Sequence, residues 1–410
     1  MDLFKRQGEN DRQFIFRLGR AKEQGIIDLD WKQLTEIFNR DLTELKGPDD
    51  KLSVSTLQQQ YRIAVLYYED VFKNMNLSEE HLEQLSEIDI KTQEMYKQKV
   101  KMQDVAREYK KHLREDARIE KIIEAIKEDN CKFEPQIVPY VETYKGTNEA
   151  VLLIGDWHLG AIVTNFYNTY DLSIAEERIN KLYHKTVKYC KRNNVNKLHV
   201  VNLSDLLEGE IHATARVESE MDTVQQIKQA VRLLCQLLVN LSGDIEHITY
   251  RSVVDNHSRV LANFRDHIEK ESFCKLIDWW LIDKLEMVNE RFAQEGLRNC
   301  IEIIQDNIDD NIGYFVVNGK NIFFSHGHQG SQSTVVQDLT FSTNIIADIV
   351  LLGHWHVDKI KNFQGKKVFF NGSLKGVDSY TLGKRMFSAP SQTLLIFDED
   401  DVIDIPMQLK

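Results

Sequence analysis

The chain has 410 residues, 42% of them hydrophobic and 28% charged, and a formal net charge of -12. That supports a sizeable core in roughly two or three domains, with no apolar run near the ~20 residues of a membrane-spanning helix. The five cysteines lie far apart without a Cys-x-x-Cys, which excludes a disulfide framework or zinc ribbon, and the acidic balance argues against indiscriminate nucleic-acid binding.

The first ten residues lack the apolar core of a secretory leader, so a cytoplasmic protein is expected. Residues 1–75 read as a small helical domain. Leu34, Ile37, Phe38 and Leu42 recur at helical spacing, a turn follows at Gly47-Pro48, and Ser53-Val-Ser-Thr56 offers N-caps to a second helix. A short helix, a turn and a longer helix with Gln58, Gln59 and Arg62 near its start has the layout of a helix-turn-helix. Recognition helices read bases with such residues. A plain three-helix packing or protein-docking domain is the alternative.

Residues 76–132 are rich in Glu, Lys, Gln and Arg, with a sparse apolar seam that includes Met95, Met102, Val105, Tyr109 and Leu113. This predicts one or two long amphipathic helices. They form either a linker resting on the next domain or, through 77–129, a coiled-coil homo-oligomer.

From about residue 133 strands and helices alternate, the pattern of an α/β domain. Strands are expected over 138–141, 150–154, 197–203, 246–254, 314–317, 321–325, 348–352, 367–370 and 392–397. Helices are expected over 174–192, 217–241 and 260–291.

The residues after successive apolar runs carry the chemistry. They are Gly155-Asp156-Trp157-His158, Ser204-Asp205-Leu206-Leu207-Glu208, Asp255-Asn256-His257-Ser258, Ser325-His326-Gly327-His328 and Gly353-His354-Trp355-His356. Five strand ends in a row deliver metal-ligand or acid–base side chains, and ligands in open α/β sheets bind beyond the carboxyl ends of strands. Two divalent ions roughly 3.5–4 Å apart can hold an attacking hydroxide and clamp phosphoryl oxygens. A carboxylate suits the bridging position, and neutral imidazoles with an amide oxygen complete the shells without overcharging them.

In these motifs the sequence resembles the calcineurin-like metallophosphoesterase superfamily, particularly its nuclease branch. The family carries Asp-x-His, Gly-Asp-x-x-Asp, Gly-Asn-His-Asp/Glu, a lone His and Gly-His-x-His in that order, and the likeness spans about 150 to 385. It implies a four-layer αββα core over 133–410. It also implies one metal on Asp156, His158 and His356, a second on Asn256, His326 and His354, and Asp205 bridging them. His257 would be the general acid. Manganese is the expected metal, with zinc or iron as alternatives. Three residues depart from the family pattern: Ser204 and Asp255 replace glycines, and Ser258 replaces an acidic residue. They put loop geometry and the orientation of His257 in question. Glu208, in place of the motif's second aspartate, is read as structural.

His328 is open between a phosphate-side and a structural role, and Trp157 and Trp355 are expected in the wall of the site. Residues 358–385 hold seven Lys or Arg against Asp358 and Asp378. A basic segment beside a metal site would attract a polyanion, Lys366 and Lys367 included. Turns at Asn371-Gly-Ser373 and Asp378-Ser-Tyr380 would present amides or hydroxyls to phosphate. The implied function is a two-metal phosphodiesterase acting on nucleic acid, with DNA as the expected partner, as in a phage or mobile-element nuclease. The same ligand set would serve a phosphomonoesterase or cyclic-nucleotide phosphodiesterase. A DNA-binding or assembly protein that keeps metals without turnover is the reading from a different class.

Overall fold

A computed structural model describes residues 2–42, 51–69, 79–129, 134–141, 144, 146–211, 219–261, 267–296, 301–399 and 401–410. The chain divides into two compact units, Met1–Ile119 and Glu120–Lys410.

The first unit starts with α1 (Asp11–Glu23), α2 (Trp31–Asp41) and α3 (Val54–Tyr67). Reciprocal capping boxes open α1 (Asn10 with Gln13) and α2 (Asp30 with Gln33), satisfying donors that helix starts leave orphaned. Phe14, Ile15, Leu18, Leu34, Phe38, Leu42, Leu57 and Tyr61 form a core of their own. The connection from α2 to α3 includes residues 43–50, which lie outside the described residues. The expected Gly47-Pro48 turn lies outside the described residues. Helix α4 (Glu79–Asp129) is a single element of 51 residues, and Met95, Met102, Val105 and Tyr109 on it are exposed.

In the second unit six strands form one sheet, ordered β13-β12-β1-β4-β5-β6. These are β1 (Asn148–Ile154), β4 (Val195–Asn202), β5 (His247–Ser252), β6 (Ile301–Ile303), β12 (Ser391–Asp398) and β13 (Asp401–Gln408). The other five-stranded sheet is ordered β10-β11-β9-β8-β7, from β7 (Gly313–Val317), β8 (Lys320–Ser325), β9 (Ile349–Leu352), β10 (Lys359–Phe363) and β11 (Lys366–Phe370). A hairpin of β2 (Val163–Thr164) and β3 (Thr169–Tyr170) stands apart from both sheets. Strands β1, β4, β5 and β6 run parallel, as do β8, β9 and β11.

Alternation along the strands decides the layering. Val151, Leu153, Val201, Leu203 and Leu395 of the first sheet pack with Phe315, Ile322, Phe324, Ile349, Leu351 and Phe369 of the second. The opposite face of the first sheet, Ala150, Leu152, Ile154, Leu198 and Val200, is covered by α5 (Leu172–Arg192), α6 (Thr223–Ser242) and α7 (Phe273–Gln294). Phe323, Val350, Leu352, Val368 and Phe370 of the second sheet pack with Leu339 of α8 (Val335–Thr343).

Three expected elements need correcting. Residues 138–141 form no strand, and Val141 is exposed. The helix expected from 217 starts at Thr223, because Asp222 with Gln225 caps it there. The helix expected from 260 starts at Phe273, where the Ser272 side chain accepts from the Cys274 N–H. Periodicity finds a helix body, whereas a cap sets its first residue.

Candidate metal centre

Three of the parallel strands that lead to the site, β1, β4 and β9, are followed by turns too sharp for ordinary backbone. Asp156 (φ 51°), His158 (φ 50°), Ser204 (φ 68°), Asp205 (φ 50°), His354 (φ 68°) and His356 (φ 54°) all lie in the left-handed region. Side chains other than glycine and asparagine seldom sit there, at a cost of about 1–3 kcal/mol each when the site imposes strain. Six such residues at one location mark backbone held in place by its surroundings. Gly353 is required for a different reason: a Cβ there would stand 3.1 Å from Asp156 Oδ2 and 3.4 Å from His326 Nδ1.

The two sheets contribute separately. The first supplies Asp156, His158, Asp205, Asn256 and His257, and the second supplies His326, His354 and His356. Ligand atoms of Asp156, His158, Asp205 and His356 lie within 4.8 Å of one another, as do those of Asp205, His326 and His354. Asp205 belongs to both groups. His158 Nε2 is 3.0 Å from His356 Nε2, and His356 Nε2 is 3.3 Å from Asp156 Oδ1. On the other side His326 Nε2 is 3.1 Å from Asp205 Oδ2 and 3.0 Å from Asn256 Oδ1. Asp156, His158, Asp205 and His326 are essentially fully buried. Converging imidazole and carboxylate atoms out of water call for a cation, so this donor set fits divalent metal ions.

The charges agree with that. Burial works against ionised Asp205, but His326 and His257 beside it hold its carboxyl well below the usual range. For His326 burial is outweighed by Asp205, then Asp156 and Asp255, and its pKa is pushed up to about 10. Burial, with His326 next, lowers His354 to about 4. Burial, with Lys375 next, lowers His158 to about 4 as well. Neutral imidazole is the metal-binding form.

His257 is partly exposed on the wall of a cavity of about 400 Å³ whose lining also includes His158, Asp205, Asn256, His354 and His356. Its Nδ1 donates to the Glu208 carbonyl at 2.7 Å, and its own N–H donates to Asp205 Oδ1 at 3.3 Å. The donor bond places a hydrogen on Nδ1 and so fixes the tautomer of the neutral ring. At Gly209 a Cβ would meet the His257 carbonyl at 2.3 Å, so only glycine lets these two loops approach.

The three departures from the family motifs turn out to be linked. Asp255 Oδ2 accepts the Asp205 N–H at 2.7 Å, the Ser258 hydroxyl at 3.0 Å and the Cys274 thiol at 3.0 Å. Its Oδ1 accepts the Ser258 N–H at 2.6 Å. Ser204, held at positive φ, donates its hydroxyl to the Val253 carbonyl. Asp255 and Ser258 thus tie the Asp205 turn to the Asn256–His257 turn. Sequence reasoning missed this, because Cys274 arrives from α7.

It also missed Lys375, one of the seven basic residues of 358–385. The residue is buried, 3.2 Å from Glu208 Oε2 and 2.7 Å from Asp378 Oδ2, while Glu208 Oε2 lies 3.0 Å from His158 Nδ1. Carboxylate contacts of this type orient metal-ligating histidines.

Other expected residues stand elsewhere. Lys366 pairs with Asp348 at 2.6 Å, and both Lys366 and Lys367 occupy the start of β11, the end away from the cavity. Asn371 and Ser373 are buried, with the Ser373 hydroxyl on the Asp156 carbonyl at 2.9 Å, so that turn supports a ligand loop and faces no phosphate. Ser379 and Tyr380 do line the cavity. Trp157 is buried in the core against the helices and is no wall of the site, while Trp355 is half-buried against the second sheet. His328 has its ring 5.4 Å from that of His326 and 6.3 Å from that of His354, beside the second group. Gln58 is half-buried on α3, with Gln59 and Arg62 exposed there in the other compact unit.

No protein-family model matches the chain. It is 24% identical over 363 residues, 82% of this chain and 86% of the other, to the SPbeta prophage-derived uncharacterized protein YonJ of Bacillus subtilis strain 168. Among solved structures it is similar to an archaeal phosphodiesterase, with 15% identity, a TM-score of 0.29, and coverage of 63% of this chain and 99% of that one. Vps29 of Entamoeba histolytica complexed with zinc is 13% identical at a TM-score of 0.28, covering 64% of this chain and 99% of that one. Likenesses of that size carry no argument about the site, which stands on its own geometry.

Proposed function

We propose that the chain is a divalent-metal-dependent phosphodiesterase of the calcineurin-like type, with the four-layer αββα arrangement of that fold, and that it cleaves DNA with two metal ions. The observation that carries this is the convergence of strand ends from two sheets on one buried cluster, with His257 beside it on an open cavity. Asp156, His158 and His356 would hold one ion. Asn256, His326 and His354 would hold the other, with Asp205 between them. Manganese suits this mixed shell, with zinc and iron as alternatives.

Bound ions supply Lewis-acid polarisation of a phosphoryl oxygen and an activated water at neutral pH. The chain's own residues do the rest. Asp156 accepts the His354 N–H at 3.1 Å, joining the two ligand loops. Because the Nδ1–H of His257 is committed to the Glu208 carbonyl, the ring as imidazolium would pass the proton on Nε2 to the departing oxygen and return to the Nδ1–H neutral form. The positive φ values and buried supports keep the ligands in place before any substrate arrives.

The substrate proposal is DNA, with the helical head engaging it through Gln58, Gln59 and Arg62 on α3. The prophage origin of the Bacillus relative fits a phage or mobile-element nuclease working in a host cytosol. None of the described helices is long and apolar enough to cross a membrane. Self-association through the exposed apolar residues of α4 is part of the same proposal.

The test is cleavage of end-labelled single- and double-stranded DNA with added manganese, beside Asp205→Ala. Cleavage by the parent alone supports a nuclease. Turnover only of a small phosphodiester moves the function to nucleotides, and turnover only of a phosphomonoester moves it to a phosphatase. Silence on all of them sinks the catalytic proposal. Removal of residues 1–75 should weaken DNA engagement and spare the small diester.

A further inference from the structure

Beside the metal cavity a row of aromatic rings stands in water. Phe166 is 94% exposed, Phe387 56%, and Tyr167 and Tyr380 47% each. The Phe166 and Tyr167 ring centroids are 5.1 Å apart, as are those of Tyr167 and Phe387. Tyr380 lines the cavity, with its ring 6.4 Å from the ligand candidate His356. Asn165 lines both the cavity and the neighbouring depression that holds Phe166 and Tyr167, so the row and the cavity are continuous.

The exposure is fixed by the fold. The β2–β3 loop is pinned from below, where Asn168 Nδ2 donates to the Lys375 carbonyl at 2.8 Å and Arg178 donates to Asn168 Oδ1 at 2.8 Å. Asn165 Nδ2 donates to the Val377 carbonyl at 3.1 Å. On the facing segment, which follows the short helix α9 (Ser379–Gly383), the Met386 N–H returns to the Thr381 carbonyl at 2.8 Å. Rings presented on rigid backbone lose little entropy when something stacks on them.

The charges around the row are cationic. Lys384 Nζ sits 4.3 Å from the Tyr380 ring centroid, Arg385 is exposed beside it, and Lys410 Nζ donates to the Tyr167 carbonyl at 3.4 Å. The carboxylate in the depression, Glu177, lies 3.6 Å from Lys181. Flat apolar faces interleaved with cations match a strand of unpaired bases joined by phosphates. A duplex keeps its base faces stacked inside and offers nothing to these rings.

We infer that Phe166, Tyr167 and Phe387, continuing from Tyr380, form a shelf on which unpaired nucleotides flanking the scissile phosphate stack. The substrate strand is therefore single-stranded where it meets the site. This rests on the proposed phosphodiesterase function, and the test separates the two.

The test uses the full chain, freed of metal with chelator, and follows fluorescence anisotropy of a labelled oligothymidylate of about a dozen nucleotides, within the site sizes of such grooves. The same strand annealed to its complement and an oligouridylate form two further arms. The parent should bind the single strand more tightly than the duplex. Phe166→Ala and Phe387→Ala should each weaken it roughly 5- to 100-fold, the range for one lost base stack, while Phe166→Trp retains it. Comparable loss on oligouridylate would make the shelf general for single strands, and loss on DNA alone would make it DNA-selective. Both outcomes support the shelf. Unchanged binding in the alanine variants overturns it, and so does a preference for duplex. A change of oligomeric state in Phe166→Ala, read by light scattering, also overturns it, because the row would then be a protein contact. Hydrolysis of bis(p-nitrophenyl) phosphate by the manganese-loaded parent tests the catalytic proposal separately.

Discussion

Replacing Asp255 by asparagine conserves shape and removes one acceptor from a site that uses four donors. The carboxylate receives the N–H groups of Asp205 and Ser258 at 2.7 and 2.6 Å, with the Ser258 hydroxyl and the Cys274 thiol at 3.0 Å. An amide keeps one oxygen. The hydroxyl and thiol can rotate to accept, but a backbone N–H cannot. In either orientation of the amide one buried N–H, of Asp205 or of Ser258, therefore loses its partner. That costs about 1–3 kcal/mol. An opposing gain exists, because burial, with the charge of Asp205 next, already pushes the Asp255 pKa up, so loss of its charge relieves some strain. We expect the orphaned N–H to win, with a net loss of about 1–2 kcal/mol and a fall in melting temperature of roughly 2–6 °C. Because Asp205 sits in both ligand groups, metal affinity should also fall, by about 10- to 100-fold as for other residues that orient ligands. Scanning calorimetry of the metal-free protein and manganese titration read the two effects. A variant that melts with the parent and binds manganese equally would show that Asp255 does not hold the Asp205 turn.

Metal loading should release a proton. With the His326 pKa raised to about 10, above its ordinary 6.5, the metal-free protein keeps that imidazole charged. Its stabilising contribution is complete below about pH 6.5 and is lost as pH rises through about 10, and metal affinity should climb over the same window. Calorimetric titration in buffers of different ionisation enthalpy would reveal this, and no buffer dependence would count against it. His257→Ala should keep metal binding and lose about 10²- to 10⁴-fold in turnover; equal losses in both would make its role structural. Lys375→Met leaves Glu208 and Asp378 buried without their cation, so a loss of roughly 3–5 kcal/mol is expected in denaturant unfolding. Met102→Glu, on the exposed apolar seam of α4, should lower the mass of any oligomer seen by sedimentation and leave a monomer unaffected.

The sequence by itself marked the candidate site residues. Each lies just past an apolar run, and residue type with period carries that information locally: Asp156 and His158, Asp205, Asn256 and His257, His326, then His354 and His356. It also marked the α/β alternation and most strands, because burial on both faces leaves continuous apolar runs. Helix starts at Thr223 and Phe273 were harder, since a single cap decides them and apolar residues extend beyond it. What only the tertiary structure decided is which long-range partners share one buried point. The second sheet brings His326, His354 and His356 against the first sheet's carboxylates. Lys375, whose charge reads from sequence as solvent-facing, is folded inward between Glu208 and Asp378. Asp255 and Ser258 gain a purpose once Cys274 arrives from α7. Local pattern fixes the direction of a side chain relative to its own strand. Its neighbours from distant strands depend on how sheets and helices pack, and no local period records that.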